Sequence, residues 1–152
     1  MIDTGAIVLR RLLVGLLLFG LLGALVELVL LRHYESPAMV APFATIGAGG
    51  AAAVARLMRP SPRSVWWLRL AMMPLLAASV AGAYLHYRGG LAFQADMDPT
   101  LPPWPLFWKV LHMQAPPALA PGVLAQLGLL GLASTYRDPL LIPADASAAR
   151  RA

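Results

Sequence analysis

The chain has 152 residues, a hydrophobic fraction of 59%, a charged fraction of only 12% and a mean hydropathy of +0.69. Charged residues alone make up about a quarter of a soluble domain, and here the apolar residues fall in long blocks, so lipid is the expected solvent. The absence of cysteine excludes a disulfide framework, thiolate metal sites and a thiol nucleophile. The net charge of +5 does not argue for nucleic acid, because the basic residues flank apolar runs instead of forming a patch interleaved with aromatics.

Arg10 and Arg11 precede an apolar run over 12–31. The run is too long for the core of a cleavable signal and long enough to cross a bilayer, so it reads as a retained first span. Its one charge is Glu27. The residues three, four and seven before it are Ala24, Gly23 and Gly20, a small-residue face suited to packing against another helix. Glu27 is therefore expected to point inward and to need a partner or a proton.

Ser36-Pro37 breaks the chain before a second, Ala/Gly-rich span over 38–55, with Pro42 and Thr45 inside it. A third span is expected over 65–86, opened by Trp66, Trp67 and Arg69, interrupted by Pro74 and ended by Gly89-Gly90. Residues 88–117 form the longest connection. Within it, 104–112 reads as a short amphipathic helix in the headgroup region, anchored by Trp104 and Trp108. A fourth span over 118–136 is closed by Arg137-Asp138-Pro139, completing one domain over 1–139, and 140–152 is expected to be a flexible tail.

Four spans put both termini and the loop between the second and third spans on one side. That side then carries Arg10, Arg11, Arg56, Arg59, Arg63, Arg69, Arg137, Arg150 and Arg151, nine of the 12 basic residues. Arg32, Arg88 and Lys109 fall on the other. The positive-inside rule then predicts an all-α four-helix membrane bundle with cytoplasmic N- and C-termini, located in a bacterial inner membrane. Omitting the Ala/Gly span would separate the Arg56–Arg63 group from the N-terminal arginines.

The polar residues collect at the outer boundary. Glu27 with His86 is the preferred buried polar pair, and Arg88 and Gln126 are alternative intramembrane partners. His33, Glu35, Asp96, Asp98 and His112 form a candidate outer-face ligand cluster of N and O donors, although without the spacing of a known metal motif. Asp96-Met97-Asp98 lacks the glycine and distal glutamate of a calcium loop. The tryptophans fit an ordinary interfacial belt, and Lys109 and Arg88 fit snorkelling charges. No cofactor is named by these residues, and none is expected ahead of a metal or a haem. There is no phosphate loop, no G-x-S-x-G and no Ser-His-Asp set on one side, so catalytic residues are not assigned and an enzyme is not the expected reading.

Three stretches are distinctive together: Glu27-Leu-Val-Leu-Leu-Arg-His-Tyr-Glu35, Leu85-His-Tyr-Arg-Gly89, and Ala115-Pro-Pro-Ala-Leu-Ala-Pro-Gly122 with Gln126-Leu-Gly-Leu-Leu-Gly131 and Thr135-Tyr-Arg-Asp-Pro139. In these the chain resembles a group of small bacterial conserved-hypothetical multi-pass membrane proteins. The resemblance implies four helices, with no activity and no site residues.

The expected role is that of a non-enzymatic accessory or assembly subunit of a larger inner-membrane complex. Its partners are then the lipid bilayer and other membrane subunits, or further copies of itself. The alternatives are a redox module binding a metal, haem or quinone through outer-face His and Glu, and a component of a small oligomeric transporter or channel with Glu27 as its ion site. An exchangeable proton or polar partner at Glu27 makes Glu27→Gln easier to tolerate than Glu27→Leu.

Overall fold

The computed structural model describes residues 4–113 and 118–141. Every regular element in them is helical: α1 (Thr4–Leu30), α2 (Pro37–Met58), α3 (Pro62–Met97), α4 (Pro103–Leu111), α5 (Leu119–Ser134) and a 3-10 turn over Pro139–Leu141. α1, α2 and α3 are long and apolar enough to cross a membrane, and α5 is a shorter apolar helix of 16 residues. At 1.5 Å per residue α5 is about 24 Å long, short of a ~30 Å hydrocarbon core.

Local chemistry explains the breaks. Prolines occupy the opening turns of α2, α3 and α4, where a missing N–H costs nothing. Between α2 and α3, Ser61 and Ser64 form a reciprocal capping box: the Ser64 N–H donates to Ser61 Oγ (3.1 Å), and the Ser61 N–H donates to Ser64 Oγ (3.0 Å). After α1 the chain turns at Arg32, whose φ of 51° lies in the left-handed region.

Two expectations need correction. α3 does not stop at Gly89-Gly90 but runs 36 residues to Met97. Tertiary packing overrides the weak helix propensity of glycine here, because α4 lies against this stretch. A Cβ on Gly90 would come within 3.0 Å of Val110 and 3.2 Å of Met113. Tyr87 meets Phe107 with ring centroids 5.9 Å apart. The expected connection over 88–117 is thus largely helix. The expected short helix over 104–112 is α4, with Val110 buried against α3. Residues 142–152, most of the expected tail, lie outside the described residues.

α1 packs against α2 and α5, α3 packs against the same two helices, and α4 rests on α3. The core uses the inward stripe of each helix at three- and four-residue spacing. Val14, Leu17 and Leu21 of α1 meet Ile46 and Ala53 of α2, Leu68, Met72 and Leu75 of α3, and Leu124 and Leu127 of α5. Gly128 and Gly131 let α5 approach α3 closely. A Cβ on Gly131 would overlap Met72, and one on Gly128 would lie 2.9 Å from Leu76. Close backbone approach at small residues is how helices associate where lipid removes the hydrophobic contrast. Large apolar side chains such as Leu12, Leu16, Phe19 and Val80 point outward and are exposed, as lipid-facing positions must be.

Candidate functional site

At one end of the molecule Glu27, His33 and His86 line a small cavity of about 90 Å³, closed on the other side by Gly82 and Pro121. The His33 and His86 rings lie 6.1 Å apart, centroid to centroid, with their planes within 19°. The same two histidines border an adjoining groove of about 700 Å³ between α2 and α3, walled by Pro42, Ala78 and Ala81 among others. Glu27 and His86 thus border one opening.

Neither residue of the pair is buried, and no hydrogen bond or ion pair joins them among the described residues. The physical reason lies in helix length. Gly20 of α1 packs on Leu127 of α5, and Leu17 lies beside Gly131, so the two helices run antiparallel. In that register Glu27 falls level with Ala120 and Pro121, where α5 begins. Among the described residues α5 has no further turn to cover the carboxylate. The alternative partners also stay apart from it: Gln126 is on an exposed face of α5, and Arg88 lies over the Tyr84 ring at 5.9 Å.

The outer-face ligand cluster is not assembled: among the described residues no group of three or more His, Asp or Glu could hold a metal ion. Glu35 and Asp96 are exposed. Asp98 closes a local turn, accepting from the Thr100 hydroxyl at 2.7 Å and the Thr100 N–H at 3.1 Å. These bonds, aided by the Lys109 charge, hold its carboxyl below the usual carboxylate value. His112 Nδ1 lies 2.8 Å from the Trp108 carbonyl within the α4 turn. Asp98 and His112 are thus engaged in local turns.

The densest polar network sits at the opposite end, on residues that the sequence reading treated as topology signals. There the start of α1, the end of α2, the start of α3 and the end of α5 meet. Arg56 Nη2 donates to Asp138 Oδ2 at 2.6 Å, and the Asp138 side chain is completely buried. Arg69 donates through Nε to Thr135 Oγ1 (3.1 Å) and through Nη2 to the Thr135 carbonyl (2.8 Å). Arg10 Nη2 donates to the carbonyls of Tyr136 (3.2 Å) and Arg137 (3.0 Å). Three arginines from three helices thus converge on the C-terminal end of α5, where free carbonyls and the helix dipole favour cations.

The backbone makes this convergence possible. Arg137 adopts a φ of 47°, turning the chain so that its carbonyl faces Arg10 and the next residue faces Arg56. Asp138 also accepts from the Leu140 N–H at 3.0 Å, which fixes the 3-10 turn. The sequence signal was an acidic residue immediately after a basic one at the end of an apolar run. Its pairing with an arginine in another helix carries no local mark.

No protein-family model, no curated protein and no solved structure matches the chain.

Proposed function

We propose that the chain is a non-enzymatic accessory or assembly subunit of a larger complex in the bacterial inner membrane, folded as a four-helix membrane bundle with both termini in the cytoplasm. The observation that carries this reading is the groove of about 700 Å³ between α2 and α3. Ala41, Ala78, Ala81 and Gly82 line it, giving a surface on which another helix can lie close. It lies at the end away from the arginine network, so an occupant leaves that network intact. The orientation is supported by the nine-to-three division of basic residues. The short α5 reaches across the hydrocarbon region only if the bilayer thins or flanking residues snorkel.

The absence of native cysteine makes the test direct. In Ala81→Cys, a bifunctional thiol–amine reagent applied in membranes is expected to give an adduct with a second integral membrane protein. The adduct should be lost when Ala41→Leu, at an exposed position that lines the groove, fills it. A protein that stays a monomer after mild solubilisation and forms no adduct overturns the proposal. An adduct of two copies of this chain overturns it in favour of an oligomeric transporter component.

A second reading, a redox module, is supported by the near-parallel His33 and His86 rings beside Glu27. Its test is the absorption spectrum and metal content of protein purified in mild detergent. A chromophore or metal that disappears in His86→Ala favours it, and a colourless, metal-free sample at full recovery removes it.

A further inference from the structure

A cavity of about 380 Å³ lies at the arginine-rich end, between the first turns of α1, the end of α2 and the 3-10 turn. Its charged rim consists of Arg10, Arg11 and Arg56, three guanidinium groups against the single carboxylate of Asp138, which is already paired with Arg56. Its walls are apolar, with Ile7, Val14 and Leu57 among them.

The arginines are not used up by the fold. Arg10 spends its terminal nitrogens on backbone carbonyls, but its Nε is buried without a hydrogen-bond acceptor. Its Nη1 makes one hydrogen bond, to the Ala6 carbonyl at 3.3 Å, and so keeps a second donor. Arg11 is exposed and has no hydrogen bond or ion pair among the described residues. Arg56 gives one nitrogen to Asp138 and keeps further donors. The cavity also straddles a polarity boundary, since Arg10 and Arg11 immediately precede the apolar run that begins at Leu12.

We infer that this cavity binds the phosphate of an anionic phospholipid, with Arg10 and Arg11 as its principal donors and the apolar wall taking the start of an acyl chain. Guanidinium groups present planar paired donors matched to phosphate oxygens, and basic pockets between helices at a membrane surface are suited to anionic headgroups. The volume falls in the range of small-ligand sites. This site depends on the chain being embedded in a membrane and is independent of its service as an accessory subunit, because a solitary monomer would still bind the lipid.

The test is native mass spectrometry of the full chain in a neutral detergent, with phosphatidylglycerol and phosphatidylcholine of identical acyl chains added in turn. Wild type is expected to retain phosphatidylglycerol about tenfold over phosphatidylcholine. Arg11→Gln is expected to lower that retention about fivefold, the factor that one basic residue near a headgroup supplies. Its unfolding midpoint should not move, because Arg11 makes no bond that holds the fold. Arg63→Gln, an exposed arginine outside the cavity lining, should leave retention unchanged. Equal retention of the two lipids overturns the proposal, as does equal loss in both variants, which would mean bulk charge and not a site. Displacement of the lipid by millimolar inorganic phosphate would assign the cavity to free phosphate instead, and also overturns it.

Discussion

Arg56 and Asp138 stand 82 positions apart in the chain and form a 2.6 Å ion pair with the carboxylate wholly buried. The pair ties the end of α2 to the segment that follows α5. Removing one partner of such a pair strands the other charge, which typically costs about 3–5 kcal/mol. Asp138→Ala is therefore expected to lower the unfolding midpoint of the detergent-solubilised protein sharply. The double variant Arg56→Met with Asp138→Leu should recover most of that loss, since apolar replacement of both partners leaves no stranded charge. A double variant as unstable as Asp138→Ala alone would mean that the acidic side chain acts through Leu140 and the turn, not through Arg56.

Met72 and Gly131 set how close α3 and α5 approach. Gly131→Ala places a methyl group where the Met72 side chain already lies, and over-packing of this kind costs about 1–3 kcal/mol. Met72→Ala alone opens a cavity in the core and is also expected to destabilise. Combining the two should give less than the sum of the single losses. Strictly additive losses in a double-mutant cycle read by thermal unfolding would show that the two residues are not in contact.

The turn closed by Asp98 and Thr100 predicts a pH response outside the membrane. The Thr100 hydroxyl, its N–H and the Lys109 charge favour the ionised carboxylate, so the folded-state pKa lies below the unfolded one. The turn's contribution is then complete above the unfolded carboxylate pKa and disappears as pH falls through the lowered value of Asp98. In Thr100→Val the hydroxyl is gone, and the Asp98 carboxyl should titrate at a higher pH than in wild type. A carboxyl-carbon NMR titration reads this directly, and an unmoved midpoint would rule out the hydroxyl as the main cause.

Glu27 is exposed at its opening and makes no hydrogen bond or ion pair among the described residues, where its position on α1 pointed to a polar partner. Without a buried polar partner, Glu27→Gln and Glu27→Leu should have similar stability, each within about 0.5 kcal/mol of wild type. A marked loss confined to Glu27→Leu, read by thermal unfolding, would restore the buried-partner reading.

Much of the architecture was legible because hydropathy and punctuation are local. Lipid-soluble runs need no tertiary partner to be recognised, and Pro37 marks a helix start by removing an N–H that would be unpaired anyway. Gly89-Gly90 misled because the helix through it is held by α4, a contact with residues about twenty positions further along. The outer site was legible only as a list of residue types. The helix register brought His33 to His86 and left Asp98 and His112 in local turns.

The sequence by itself pointed to four apolar segments and a concentration of arginines near particular helix ends, since these follow from side-chain transfer energies and chain chemistry. Only the tertiary structure decided that the arginines do more than mark topology. Convergence of Arg10, Arg56 and Arg69 on residues 135–138 depends on the rotation of four helices about their axes and on one left-handed residue, Arg137. No local pattern encodes those rotations, because they are set by the mutual packing of Leu17, Met72 and Gly131 in the core.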